Sequence, residues 1–176
     1  MLGPLALDFM ENGMSAIEAI EHVCQQGKFI EYRQVLVVDK AGKTAIYSGP
    51  NSLGIWTQAQ GLDVASGGNM LANDRVPQAM VDSFLASSGH LGDRLISAMR
   101  AGLAAGGEAG PLHSAGILLV DSVAWPVAEL RCDWTDNCPI ENIATAWEVY
   151  KPQLAAYVQR AIDPRDAPSY GVPGDQ

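Results

Sequence analysis

Residues 35–47, VLVVDKAGKTAIY, carry the sequence pattern of a β-hairpin. The stretch begins with a short apolar run, continues with DKAG, which is typical of a turn, and returns with a second strand-like run at residues 44–47. A continuous apolar run, without alternation, indicates a strand that is covered on both faces. The sequence therefore predicts an antiparallel hairpin in the interior of the domain.

Residues 1–26, upstream of the hairpin, are predicted to form two short helices separated at Asn12 and Gly13. Ser15 followed by Glu18 fits a capping box, in which each side chain binds a backbone N–H at the helix start. Apolar side chains then recur at helical spacing. The second helix is therefore expected to present one apolar face.

Downstream of the hairpin, residues 63–65 are a predicted strand. Two helices follow it, the first capped by Asp74 and the second beginning after Gly89, each with an apolar stripe. Gly106 and Gly107 are expected to end the second of these helices.

The last third of the chain carries two more predicted strands, residues 114–120 and residues 128–134, the second of which alternates between apolar and polar side chains. A long helix is expected from Pro139 to about residue 162, kinked or split at Pro152. Strands and helices thus come in blocks, which favours an antiparallel sheet covered by helices, a layered α+β sandwich.

Composition excludes several classes of protein. The chain has 176 residues, with 11 Lys plus Arg against 20 Asp plus Glu, and the net charge of −9 argues against binding to nucleic acid. Its apolar runs are far shorter than the roughly 20 residues that cross a bilayer, so we expect no membrane partner. The length suits one domain, which we place at residues 1–163, followed by a Pro/Gly-rich tail at residues 164–176.

The cysteines and histidines show no metal-binding spacing. Three cysteines without a CxxC pair predict neither a disulfide framework nor a zinc site, and no HExxH pair is present. We therefore expect no metal and no cofactor. With no signal peptide evident, reduced cysteines favour a cytoplasmic location.

Gly68 and Asn69 form the most loop-like candidate site, because an asparagine amide supplies both a donor and an acceptor and can serve an oxyanion hole. The alternative is a turn asparagine bonded to its own backbone. Catalytic motifs such as GxSxG are absent from the sequence. The residues alone thus predict a soluble α+β domain without an identified active site.

Ser114 and Arg131 are two further candidate site residues. Ser114 follows His113 at a strand start, where neighbouring side chains point to opposite faces, so the two are poorly placed as a nucleophile and its base. Arg131 lies between Glu129 and Asp133 on one strand face, which is either a solvated ladder of charges or a site that reads a carboxylate.

Several segments together resemble one bacterial and archaeal family, the domain of unknown function 1028. The resemblance covers essentially the whole chain. It is carried by LGPLALDFMENGMSAIEAIE, YRQVLVVDKAGKTAIYSG, GGNMLAN, HLGDRLISAMRAGLAAGGEAGPLHSAGILLV, WPVAELRCDWTDNCPIENIATAWEVYKPQL and DPRDAPSYGVPGD.

This resemblance implies an αββα sandwich like that of the N-terminal-nucleophile (Ntn) hydrolases, two antiparallel sheets between helix layers. Family members usually begin several tens of residues earlier, so we expect an N-terminally shortened form. Ntn enzymes attack an amide with a Cys, Ser or Thr at a processed N-terminus. Residue 1 here is Met, followed by Leu2, so this chain presents no such nucleophile.

Two functions are consistent with this resemblance. The first is an Ntn-type amidohydrolase that acts on a small amide or peptide, in which Asn69 is an oxyanion donor and Gly68, Ser114 and Arg131 line the cleft; the catalytic residues remain unassigned. In the sandwich, Arg131 would be partly buried or border a cleft. The second is a non-catalytic binding or assembly module. Under both, we expect a homodimer or larger homo-oligomer in which a partner covers open sheet edges.

Overall fold

A computed structural model describes residues 1–169 of the chain. The backbone divides into two compact units, Met1–Leu112 and a second unit that begins at His113. Within the described residues, no helix combines the length and the apolar character that crossing a membrane requires. Part of the predicted tail, residues 170–176, lies outside the described residues, and the single-domain boundary at residue 163 stays a prediction.

The first unit opens with helices α1 (Leu2–Glu11) and α2 (Ala16–Gln26). The capping box at the start of α2 is confirmed, because Ser15 and Glu18 bind each other's backbone N–H groups. The predicted hairpin follows as strands β1 (Gln34–Val38) and β2 (Thr44–Ser48), paired antiparallel.

A second antiparallel hairpin consists of β3 (Thr57–Gly61) and β4 (Val64–Gly68), joined by a two-residue turn. Strand β3 was not predicted, because its sequence TQAQG has no apolar alternation and buries only Ala59. The predicted strand at residues 63–65 begins one residue late, since Asp63 takes up a left-handed backbone angle of 62° within the turn.

Helices α3 (Val76–Ala86) and α4 (Leu91–Ala104) complete the first unit. The expectation that Asp74 caps α3 is wrong. The carboxamide oxygen of Asn73 instead accepts a hydrogen bond from the backbone N–H of Arg75, 3.0 Å away, immediately before the helix.

These elements stack in the order helices, hairpin, hairpin, helices. α1 and α2 pack on one face of the β1–β2 hairpin, the β3–β4 hairpin faces its other side, α3 covers the second hairpin, and α4 packs on α3. The hydrophobic core between α1, α2 and the β1–β2 hairpin consists of Ala6, Ala16, Ile20, Val23, Val35, Val37 and Ala45. The α+β prediction, with helices outside and antiparallel strands inside, is therefore confirmed.

The second unit pairs strand β5 (Ala115–Leu119) with β6 (Ala128–Cys132), again antiparallel. Helix α5 (Pro139–Tyr150) packs on this hairpin and buries Trp147 completely. A 3-10 turn that contains Pro152 separates α5 from helix α6 (Leu154–Ile162). The predicted interruption of the long helix at this proline is confirmed.

Candidate functional site

A cleft of about 500 Å³ opens in the first unit, where the start of β1 meets the loop that follows β4. The ends of the two hairpins that lie opposite their turns meet at this cleft. Further into the strands, the Leu36 side chain of β1 lies against Gly67 of β4. We call this cleft the Asn69 cleft. It is lined by Tyr32, Arg33, Gln34, Asn51, Ser52, Leu53 and Asn69.

The loop formed by residues 49–55 is anchored at its start to the residues that precede β1. The backbone N–H of Gly49 donates to the carbonyl oxygen of Arg33, and that of Asn51 donates to the carbonyl oxygen of Glu31, each at 2.8 Å. A Cβ atom at Gly49 would lie 2.3 Å from the Glu31 oxygen, so this close approach requires glycine. One wall of the cleft is therefore rigidly placed.

The other end of the same loop is anchored to the residues that follow Asn69. The backbone N–H of Met70 donates to the carbonyl oxygen of Leu53 at 2.9 Å, and Leu71 pairs in the same way with Ile55. Met70 has a backbone φ of 51°, a left-handed conformation that costs a non-glycine residue about 1–2 kcal/mol. These hydrogen bonds hold the strained residue directly beside Asn69.

A chain of side-chain hydrogen bonds ties the two hairpins together beneath the cleft. The Gln34 amide donates to the Ser48 hydroxyl at 2.9 Å and to the carbonyl oxygen of Gly68 at 3.3 Å. Ser48 in turn donates to Gln58 at 2.6 Å. Gly68, one of the sequence candidates, thus accepts a hydrogen bond beneath the cleft and is not among the residues that line it.

Asn69, the second sequence candidate, lines the cleft with a half-buried side chain. Its carboxamide makes no hydrogen bond to any residue between 1 and 169, and the same is true of the side chains of Asn51 and Arg33. Asn69 therefore does not close a turn onto its own backbone within this part of the chain. Two amides and one guanidinium are left with their hydrogen-bonding capacity for a ligand.

Two nucleophilic side chains of the first unit, Ser52 and Cys24, are hydrogen-bonded or partly buried. The hydroxyl of Ser52 donates to the carbonyl oxygen of Gly49 at 2.8 Å. Cys24 packs instead against the core between α1, α2 and the first hairpin, where burial raises the pKa of its thiol and disfavours the reactive thiolate.

A larger cleft of about 580 Å³ lies between α1, α2 and the β1–β2 turn. One of its carboxylates, Asp39, already accepts hydrogen bonds from the backbone N–H groups of Ala16, Ala41 and Lys43. This carboxylate therefore holds the turn against α2, and we do not assign a ligand to this cleft. No cluster of His, Cys, Asp or Glu among the described residues is arranged to hold a metal ion.

The other two sequence candidates lie in the second unit. Ser114 is exposed and precedes β5. Arg131 on β6 is also exposed, with 64% of its side chain accessible, and its guanidinium lies 2.7 Å from the Asp133 carboxylate. That hydrogen bond raises the pKa of Arg131. The expectation that Arg131 would be partly buried is wrong, because the polar face of β6 is open to solvent. Ligand contact by Ser114 and Arg131 stays a prediction.

The second unit also shows a stacked pair that the sequence did not predict. The rings of His113 and Trp134 are 4.0 Å apart and nearly parallel, and His113 Nδ1 lies 2.8 Å from the carbonyl oxygen of Thr135. Alternation of apolar and polar residues predicts a strand over residues 128–134, which includes Trp134, but β6 ends at Cys132. A tryptophan beyond the strand end is free to stack on a loop histidine.

Comparison with solved structures supports the fold. The crystal structure of protein SPO2555 from Silicibacter pomeroyi, assigned to the family DUF1028, matches with a TM-score of 0.76 at 27% sequence identity. The match covers 85% of this chain and 66% of that chain, so this chain spans just under two thirds of the length of that relative. No curated protein matches the sequence.

The family model described as "Family of unknown function (DUF1028)" matches residues 1–143, which include the whole first unit and the β5–β6 hairpin. The resemblance found in the sequence is thereby confirmed, and it agrees with the structural match to a protein of the same family. The chain belongs to the DUF1028 family.

Proposed function

We propose that this protein binds a small amide or peptide in the Asn69 cleft, as the ligand-holding part of an amidohydrolase-like protein. The observation that carries the proposal is the half-buried Asn69 side chain, which lines the cleft without a hydrogen bond to any of residues 1–169. A carboxamide can donate to the carbonyl oxygen of a ligand amide and accept from its N–H. Because this side chain is only half-buried, water can hydrogen-bond to it in the free protein, and a ligand amide would replace that water.

The rigidity of the surrounding loop strengthens this proposal. Residues 49–55 are tied by backbone hydrogen bonds to Arg33 and Glu31 at one end and to Met70 and Leu71 at the other. A site whose walls are already placed loses little conformational entropy when a ligand binds. The same placement would allow the Asn69 N–H group to stabilise an oxyanion during amide hydrolysis.

Binding and hydrolysis are separable claims. Amide hydrolysis by a hydroxyl requires an adjacent general base. The Ser52 hydroxyl donates its hydrogen bond to the carbonyl oxygen of Gly49, which is not a base of that kind. We therefore test binding first, by calorimetric titration with N-acetylglycinamide, a probe that carries two amide groups. Release of ammonia or acetate from the same probe, measured in parallel, reports turnover.

The decisive variant is Asn69→Ala, with Asn137→Ala as the matched control, because Asn137 is an exposed asparagine of the second unit. We expect the parent and the control to bind the probe alike, and Asn69→Ala to bind at least about tenfold more weakly, as loss of a hydrogen bond to a partly buried group predicts. Equal binding by parent and Asn69→Ala would contradict the proposal.

An assembly function is the second candidate, because each sheet within residues 1–169 has only two strands and every strand leaves one edge unpaired. Open edges favour pairing with another chain. We propose that a second copy of this chain covers them, in the cytoplasm. Light scattering at micromolar concentration is expected to show a dimer or larger species, and a clean monomer of 18.7 kDa would contradict this.

A further inference from the structure

We propose that the ligand of the Asn69 cleft carries a free carboxylate next to its amide, and that Arg33 recognises this carboxylate. The proposal rests on the proposed function and names the chemical class of its ligand: an acylated amino acid, or the C-terminal residue of a peptide.

The charge of the cleft is the first observation. Of its described lining residues, Arg33 is the one charged side chain, and no carboxylate lies among them. The chain as a whole carries −9, with 20 acidic residues against 11 basic ones. A cleft whose one charged lining residue is a cation favours an anionic ligand over a cationic one locally, against the net negative charge of the chain.

The state of the Arg33 side chain is the second observation. Its guanidinium has no hydrogen-bonding or ion-pair partner among residues 1–169. The same holds for the exposed Arg75, whereas Arg94, Arg131, Arg160 and Arg165 have such partners. The Arg33 backbone is nevertheless fixed, because its carbonyl oxygen accepts from Gly49 and its N–H donates to Ile30. Arg33 is thus placed without being used, and its planar fork matches a carboxylate.

The neighbouring side chains are the third observation. Asn69 and Asn51 supply amides beside Arg33, which suits a ligand whose amide is adjacent to its carboxylate. Leu53 and Tyr32, which are 64% and 56% exposed, form an apolar rim at the same opening. An apolar side chain on the ligand would cover this rim. Carboxylate, amide and apolar group together describe N-acyl leucine or a peptide that ends in leucine.

The test compares N-acetyl-leucine with N-acetyl-leucinamide, which differ only at the terminal group, an anionic carboxylate in the first and a neutral carboxamide in the second. We expect the parent to bind the carboxylate at least about tenfold more tightly, as hydrogen bonds to a charged group predict. The preference should disappear in Arg33→Gln, return in part in Arg33→Lys, and persist in the control Arg75→Gln. Because Arg33 is exposed, it should also shrink in about 1 M salt, where charges are screened beyond about 3 Å.

The outcomes separate the two proposals. If the parent binds both probes equally, the carboxylate inference is overturned while amide binding stands. If it binds neither, the carboxylate inference fails, and the titration with N-acetylglycinamide decides whether amide binding stands. A preference that survives in Arg33→Gln assigns the carboxylate to another residue and also overturns the inference. The tripeptide Ala-Ala-Leu, tested beside N-acetyl-leucine, shows whether the source is a peptide C-terminus or a free acylated amino acid.

Discussion

The side-chain nitrogen of Gln34 lies 3.3 Å from the carbonyl oxygen of Gly68 and donates a hydrogen bond to it. This contact links the first residue of β1 to the last residue of β4, and Asn69 is the next residue along the chain. The position of the candidate ligand-binding amide therefore depends on a glutamine in a different hairpin.

Replacing this glutamine tests the link. Gln34→Leu removes both hydrogen bonds that the Gln34 amide donates, to Gly68 and to Ser48, and each is expected to contribute about 0.5–1.5 kcal/mol. We expect the free energy of unfolding to fall by about 1–3 kcal/mol and binding of N-acetylglycinamide to weaken. Denaturant unfolding and calorimetry on one preparation measure both effects.

The matched control for this variant is Gln78→Leu. Gln78 donates to Asp82 on the exposed surface of α3, a pair of the kind that contributes about 0.2–0.5 kcal/mol. If Gln34→Leu costs no more stability than Gln78→Leu, the hydrogen bonds between the hairpins do not hold the site.

The loop that carries Asn51 and Leu53 depends on the close approach of Gly49 to Glu31. Gly49→Ala would place its Cβ 2.3 Å from a backbone oxygen, and we expect this overpacking to destabilise the protein by about 1–3 kcal/mol. Gly110→Ala is the control, since nothing lies within 4 Å of its added Cβ, and it should be neutral or slightly stabilising. Thermal melts of the two variants should differ clearly; equal melting temperatures would show that the loop moves freely.

Low pH should weaken the contact between the β1–β2 turn and the start of α2. Burial opposes ionisation of Asp39, but hydrogen bonds from the backbone N–H groups of Ala16, Lys43 and Ala41 outweigh it, so the pKa of Asp39 lies below its ordinary value of 3.8. A carboxyl whose pKa is lowered by folding stabilises the protein above its unfolded pKa and loses that contribution as pH falls through the folded value.

The variant Asp39→Asn isolates this effect. We expect it to be less stable than the parent at neutral pH and the difference to narrow as pH falls below the unfolded pKa of 3.8. Denaturant midpoints of both proteins across the acid range measure the difference. A gap that stays constant down to the lowest pH would contradict the assignment of these hydrogen bonds to the ionised carboxylate.

Arg131→Ala should leave stability unchanged. Its ion pair with Asp133 is exposed on both sides, and such surface pairs contribute little because solvent screens them. We expect a denaturant midpoint equal to that of the parent, and the same for Arg131→Lys. A clear drop in the Arg131→Ala midpoint would show that another chain or segment covers this face of β6.

The sequence predicted the elements whose signals are local. The capping box of Ser15 and Glu18, the first hairpin and the interruption at Pro152 all depend on neighbouring residues, and the structure has each of them. Strand β3 was not predicted, because its polar sequence TQAQG carries no strand signal. The strand forms through its pairing with β4 and its packing against α3.

The residues of the candidate site also fall into those that local sequence signals predict and those that they do not. Asn69 was found because a Gly-Gly-Asn run is a local loop signal. Arg33 and Asn51 were missed, since they reach the cleft through backbone bonds between Gly49 and Arg33 and between Asn51 and Glu31. Long-range backbone pairing leaves no pattern in a single sequence.

The central claim, that a small amide binds in the Asn69 cleft, is tested most directly by titrating isotope-labelled protein with N-acetylglycinamide and following ¹H–¹⁵N spectra. The account predicts shifts of the side-chain amides of Asn69 and Asn51 and of the backbone amides of residues 51–53 and 69–70, with no change along β6. Shifts confined to β6 or to the α1–α2 cleft, or no shift at millimolar probe, would contradict it.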